Sequence, residues 1–491
     1  MKVSVGEPNW RRDKNGPEQR EDVFIDGTWW PVGHEDLVAH GRVSAFGDGS
    51  VWLDIDTDPW QAVVGDGDAS AIGVRTLFGH TAAERPMSLH GVRFVGGEAD
   101  PGSPRSRVRY VADRLVYGIE AATEDDVYLQ TLQTSFRGLR EWLMGWTKDT
   151  TTPLPCVRPV PSDEGSDGRR LSDERVHLAS FEVDDVRIQA TVAFSLSTMG
   201  RFTRLYETSA TLLLEATAPL SLTEWKQRWI EPLRDLVLFG TREQTVVLFL
   251  TGHPDARCDP LQEIRVYEAP DVAVHQPDHV EYHQRDLLPA GIWEQEGFSD
   301  LIAEWRKLHA DLGAVARSLF EVLNSPDIPL LTRLLRLTSC AEGYHRALHD
   351  DPPFTDEEHA EMLEAMIDAL PEKATVRKHY EGRLAHANSQ SQRARIRWLI
   401  ERAAEADDRL EGHAAKLTSR LVEWRNDHTH LPDEVTMPPL HELLLLNAVL
   451  TYVLEANVLL DLGIGENTKY CLAHGHSWDD PIPAYVVSRR T

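Results

Sequence analysis

The sequence is short of cysteine, of positive charge and of uninterrupted apolar stretches, and each shortage removes a class of protein. Four cysteines in 491 residues (Cys156, Cys258, Cys340 and Cys471) are too few and too scattered for a disulfide framework, and they suit a reducing compartment. The longest apolar run, 443–462, is broken by Asn447, Glu455 and Asn457. A bilayer core rarely tolerates such groups, so the run predicts a buried bundle helix and no membrane partner. The opening Met1-Lys2-Val3-Ser4-Val5-Gly6-Glu7 lacks the apolar core of a secretion signal, so a cytoplasmic location is expected. Lys and Arg number 51 against 79 Asp and Glu, a net charge of -28. That balance excludes a broad basic surface for coating nucleic acid and confines any phosphate contact to a local patch. Catalytic signatures are sparse too. No Walker sequence, G-x-S-x-G elbow or H-E-x-x-H pair occurs, and His441-Glu442 has no second His four residues on.

What remains is an ordinary globular composition, 41% hydrophobic and 26% charged, in a chain long enough for two or three domains. The first half reads as β-rich. Residues 51–56 alternate apolar and polar, and 176–181, 186–194, 210–217 and 245–251 carry similar alternation or β-branched runs. Amphipathic spacing predicts helices over 129–146, with Trp142 and Trp146 on one face, and over 222–239. The Pro-, Ser-, Asp- and Gly-rich stretch 150–169 predicts an exposed loop, and 254–289 an irregular connector. From 298 onward the periodicity turns helical, over 300–320, 330–348, 355–370, 372–385, 392–406, 410–428 and 440–462. Thr355 followed three residues later by Glu358 is a helix start, and Gly463 a helix stop. The expected fold is α+β: a β-rich domain at 1–255, a connector at 256–297 and a helical domain with its tail at 298–491.

Two features of the helical half carry chemistry. Between 373 and 402 basic residues outnumber acidic ones, and Lys373, Arg377, Lys378, Arg393, Arg395 and Arg397 form a candidate RNA-binding patch; the ordinary alternative is a solvated helix face. Leu417, Leu421 and Trp424 form an apolar stripe, followed by Arg425-Asn426-Asp427-His428-Thr429-His430-Leu431-Pro432. Pro432 disfavours helix at Leu431, so the helix is expected to end near 428–430. On a straight helix Arg425 and His430 would diverge by roughly 140°; a terminating helix end lets both point into one cleft. An Arg and a His at a helix end also commonly just cap carbonyls or pair with a carboxylate such as Asp427 or Asp433.

Arg425-Asn426 followed by His430 at a helix end resembles the R-x4-6-H signature of HEPN domains. Ala341-Glu342-Gly343-Tyr344-His345-Arg346 resembles that family's Glu-containing second helix, and Leu460-Asp461-Leu462-Gly463 the end of its closing helix. Gly27-Thr28-Trp29-Trp30-Pro31 and Gly41-Arg42-Val43 resemble the N-terminal domain of the ApeA family of bacterial antiphage proteins. The resemblance implies a metal- and cofactor-independent endoribonuclease acting as a homodimer or higher homo-oligomer, with two motifs across one cleft. It implies catalytic roles for Arg425, His430 and Asn426, with His428 and Glu342 in support. RNA is then the partner, transfer RNA a fitting one, with a phage-derived trigger or inhibitor as a further partner; from the architecture, the β-rich domain would sense a phage product or hold the cleft closed. The alternative is a HEPN-type dimerisation or binding module in which Arg425 and His430 are structural.

Two other groupings are weighed against plain packing. Cys471, His474 and His476 lack a convincing fourth ligand, so no metal site is expected. Trp29, Trp30, Trp52 and Trp60 fit a core better than an aromatic platform.

Overall fold

The structure, a computed structural model, describes residues 22–46, 50–56, 60, 75–99, 106–144, 170–199, 203–255, 259–268, 297–325, 327–350, 352–370, 373–384, 388–407, 410–429, 439–464 and 467–475. The chain divides into two compact units, Met1–Arg306 and Lys307–Thr491. The fold class is α+β, a β-rich unit followed by a helical one, as the periodicity required.

The first unit is one antiparallel sheet. Its strands among the described residues are β1 (Val23–Pro31), β2 (Ala39–Ala45), β3 (Val51–Ile55), β4 (Thr76–Thr81), β5 (Pro86–His90), β6 (Arg93–Ala99), β7 (Ser106–Ala112), β8 (Arg114–Tyr117), β9 (Tyr128–Phe136), β10 (Arg170–Val183), β11 (Val186–Met199), β12 (Thr203–Ser221), β13 (Val247–His253) and β14 (Ile264–Glu268). They run in the order β10-β11-β12-β9-β13-β14-β8-β5-β4-β1-β2-β3-β7-β6. Alternation sets which face is buried: Val51, Leu53 and Ile55 of β3 point into the core and Trp52 and Asp54 away from it. Trp29 and Trp60 are core residues at 0% exposure, and Trp60 Nε1 donates to the Leu37 carbonyl at 2.7 Å. Trp30 and Trp52 are half-buried on the outer face. A side chain at Gly79 would put its Cβ 2.4 Å from Trp29 Cε3, so glycine is what lets β4 lie against that ring.

Two expectations for this unit need correction. Residues 129–146 are not one helix: they form β9, then a turn at Gly138 (φ 85), then the short helix α1 (Leu139–Met144), Trp146 lying outside the described residues. Leu129, Leu132 and Phe136 do fit helical spacing. Yet β9 is a central strand covered on both faces, so Thr131, Thr134 and Ser135 are buried too and no strict alternation shows in the sequence. The expected connector, in turn, contains β14, which pairs with β13 and β8 in mid-sheet. The β-rich unit therefore extends beyond 255, and the division between units falls inside α4 (Phe298–Leu312, numbered after the two helices that follow here). Residues 150–169 lie outside the described residues.

The helix expected at 222–239 is present as α2 (Leu222–Trp225) and α3 (Glu231–Thr241), joined by a π turn at Lys226–Ile230. Pro232 lacks an N–H and crowds the carbonyl one turn back, which accounts for the widened turn before it. Ser221 and Glu224 cap the start reciprocally.

In the second unit the helices continue as α5 (Ala314–Leu323), α6 (Leu330–Leu348), α7 (Asp356–Asp368), α8 (Ala374–Leu384), α9 (Gln392–Ala406), α10 (Ala414–Thr429), α11 (Leu440–Asp461) and α12 (Asn467–Gly475). The helix expected over 300–320 breaks at Gly313 (φ 54), which separates α4 from α5. α11 packs against α6, α9 and α12, and α6 also meets α5, α9 and α10. By length and composition α11 could cross a membrane, but 78% of its apolar window is buried inside the unit. Its polar interruptions are bundle contacts. Asn447 Nδ2 donates to the Leu330 carbonyl at 3.0 Å, and Asn457 Nδ2 to the Leu399 carbonyl at 3.0 Å.

Candidate active site

α10 enters the bundle through Leu417 and Leu421, both buried, and presents Trp424, Arg425, Asn426 and His428, all half-buried, on its last turns. The helix runs to Thr429, as the downstream Pro432 led one to expect; His430 and Pro432 themselves lie outside the described residues. Arg425 Nε stands 3.8 Å from Glu342 Oε1 of α6, and Arg425 Nη1 donates to Asn426 Oδ1 at 3.2 Å. Glu342 is itself held: Gln392 Nε2, at the first residue of α9, donates to the same Oε1 at 2.5 Å. Three helices thus fix the direction of one guanidinium. The Glu342 side chain is 16% exposed and that of Arg425 30%, so the pair sits at the wall of the bundle, within reach of a ligand. A guanidinium keeps its charge at any physiological pH and offers a planar fork of donors to a phosphate.

The other side of the α10 end is aromatic. His428 lies one turn beyond Trp424 with ring centroids 6.0 Å apart and planes 18° from parallel. One turn before Trp424, the Arg420 guanidinium lies 5.4 Å from the indole centroid. Arg420 is pinned by Glu442 of α11 (Nε to Oε1, 2.8 Å) and by Glu423 (Nη1 to Oε2, 2.8 Å). Trp424 Nε1 and His428 Nε2 are shielded from water and have no hydrogen-bond partner. The apolar stripe had marked Trp424 as core; it is the middle of a stack at the motif's edge.

The six expected RNA-binding cations differ in exposure and in their partners. Lys373, Lys378, Arg393 and Arg397 are exposed. Arg393 Nη1 approaches Ser419 Oγ of α10 at 3.4 Å, and Arg397 pairs with Glu401 at 2.7 Å. Arg377 is half-buried, its Nη2 donating to the Leu370 carbonyl at 3.3 Å beyond the end of α7. Arg395 is only 4% exposed and pairs with Asp350 at 3.2 Å. Two residues apart on a helix point to nearly opposite sides, so Arg395 faces the core when Arg393 and Arg397 face out.

A second polar group ties α11 to α6 and α9. Asp461, at the end of α11, accepts from Tyr344 Oη of α6 and Arg402 Nη2 of α9, each at 2.5 Å, and from His349 Nε2 at 3.0 Å. Burial alone would raise its carboxyl pKa; the hydrogen bonds from His349, Arg402 and Tyr344 outweigh that and take it down to about 2. Burial, with the Asp461 charge beside it, pushes the Tyr344 phenol well above its ordinary value. Neighbouring positions along the sequence could not reveal this, because Asp461, Arg402 and the Tyr344–His349 pair come from three separate stretches of chain.

Cys471 is buried, and burial pushes its thiol up to about 12, so it is no ready thiolate ligand. His476 lies outside the described residues. Among the described residues no group of three or more His, Cys, Asp or Glu side chains is arranged to hold a metal ion.

Residues 335–468 match the family described as Apea-like HEPN. The matched stretch runs from within α6 into α12 and contains Glu342, Gln392, Trp424, Arg425, Asn426 and His428. No curated protein and no solved structure matches the chain.

Proposed function

We propose, from the Apea-like HEPN domain at 335–468, that the chain is an antiphage endoribonuclease whose active site is the end of α10. The observation that carries this is Arg425, fixed by Glu342 and Gln392 inside the matched domain with its guanidinium at the bundle wall. RNA supplies its own nucleophile, so the protein needs only proton transfer and charge stabilisation. His430 removes the proton of the 2′-hydroxyl; O2′ bonds to phosphorus, the P–O5′ bond breaks, and a second His430 protonates O5′. Two copies of the chain, pairing as a homodimer, supply the base and the acid that one motif cannot. Arg425 stabilises the pentacovalent phosphorane, and Asn426 orients the phosphate. The products are a 2′,3′-cyclic phosphate and a 5′-hydroxyl. Transfer RNA suits the site because its loops present unstacked bases with free 2′-hydroxyls. The β-rich unit is the proposed sensor that holds the nuclease silent until infection.

The test compares bacteria expressing the natural chain, Arg425→Ala and His430→Ala, with and without phage, and sequences RNA ends from each culture. The natural chain protects and leaves discrete cuts ending in cyclic phosphate. Either substitution lowers purified cleavage by about 100- to 1,000-fold, the usual effect of removing one transition-state donor or proton carrier. Equal protection by both variants at equal protein level would make the Arg425–Glu342 contact purely structural and the domain a binding module.

A further inference from the structure

His428 sits between two columns of α10 side chains, three residues after Arg425 and four after Trp424, both separations that place side chains as neighbours on a helix. Its ring is held by its face, parallel to Trp424 at 6.0 Å, and its Nε2 has no partner. A histidine set up to carry protons normally has one ring nitrogen oriented by a carboxylate or carbonyl; stacking is the contact that orients this one. The stack is rigid from below, since Arg420 lies over Trp424 and is tied to Glu442 and Glu423. Arg420 and His428 are one turn to either side of Trp424, so Arg420 closes one end of the stack and the half-buried His428 ring forms the other, at the Arg425 end of the helix. A chain with net charge -28, whose Arg395 and Arg377 are committed to its own fold, gains little from phosphate attraction. Stacking of bases on aromatic faces is the other general source of affinity for single-stranded nucleic acid.

We infer that His428, held by the Trp424–Arg420–Glu442 series, is the platform on which an unpaired RNA base stacks beside the Arg425 site. His428 is then a specificity-determining residue that selects single-stranded over paired RNA. This rests on the ribonuclease reading of the same site for its substrate class, but it is tested by binding.

The experiment measures binding of the full chain to a short 2′-O-methyl RNA, which cannot be cleaved, and to the same backbone with its bases removed. The natural chain prefers the base-bearing strand by about 5- to 150-fold, the factor that stacking one base is worth. His428→Ala abolishes the preference, His428→Phe keeps it because the flat face survives, and Trp424→Ala reduces it by releasing the ring. Equal binding of the two strands by the natural chain overturns the inference. So does a preference that survives in His428→Ala, or one that is lost in correctly folded His428→Phe. A natural chain that shows the preference but leaves unmodified RNA uncut overturns the ribonuclease reading and leaves the stacking site standing. One that cuts RNA without any base preference does the reverse.

Discussion

Gly79 and Asp461 show how single residues carry structural duties that composition does not announce. With a Cβ at position 79 only 2.4 Å from the Trp29 ring, Gly79→Ala must push β4 or the indole aside. The expected cost is about 1–3 kcal/mol or somewhat more, read as a lower urea midpoint of the purified chain. Asp461 is a half-buried acceptor for three donors on two helices and the residue that follows one of them. Its folded pKa of about 2 lies below the ordinary value of 3.8, so the folded state binds its proton less readily than the unfolded state. The resulting stabilisation, about 2 kcal/mol, is complete above the unfolded value and is lost as pH falls through the folded one. Unfolding titrations between neutral pH and pH 2 should show that component disappear in the natural chain. Asp461→Asn should remove it and, by taking the carboxylate away from Arg402, which keeps Asn457 as an acceptor, destabilise at neutral pH by about 1–3 kcal/mol; an unchanged acid limb in that variant would show that other groups govern it.

Helix ends and helix interruptions decide the elements. α7 begins at Thr355, whose Oγ1 accepts from the Glu358 N–H at 3.2 Å while Glu358 Oε2 accepts from the Thr355 N–H at 2.9 Å. α7 has no buried residue, so little packing compensates for a lost cap. Thr355→Ala should cost about 1 kcal/mol, detectable as faster amide exchange confined to the first turn of α7. α10 matters because of where it stops. Its last two turns carry Trp424, Arg425, Asn426 and His428, and both the Glu342 contact and the aromatic stack depend on that stretch remaining helical.

For the whole molecule, charge limits how the proposed RNA substrate can be engaged. A net charge of -28 leaves room for contact with few phosphates, through Arg425 and exposed cations such as Arg393. The affinity for single-stranded RNA should therefore fall gently with salt, with a log–log slope of about -2 to -3, as expected for three or four neutralised phosphates at roughly 0.7 each. A slope several times steeper would reveal an extended basic track and shift the binding surface away from the α10 end.

Much of this was legible along the chain. Helical spacing with flanking Pro, Gly and Thr signals located α6 and α9 residue for residue and α11 to within one, because amphipathic or all-apolar helices write their burial into a local period. The Arg425 motif and Glu342 were singled out by their resemblance to HEPN domains; the helical period placed each on a helix but did not show that they meet. Strand β9 was not, since a central strand covered on both faces loses the alternation that identifies it, and its spacing of Leu129, Leu132 and Phe136 imitates a helix. Nor could sequence order tell which cations face water. Arg395 and Arg397 differ by two positions, yet one is sealed against Asp350 and the other lies exposed. Gln392 behind Glu342, the Trp424–His428 stack anchored through Arg420 on Glu442, and the Asp461 network were decided only when separate helices packed together. Local periods fix what an element is; which of its side chains meet depends on neighbours far away in sequence, and that is settled by tertiary packing alone.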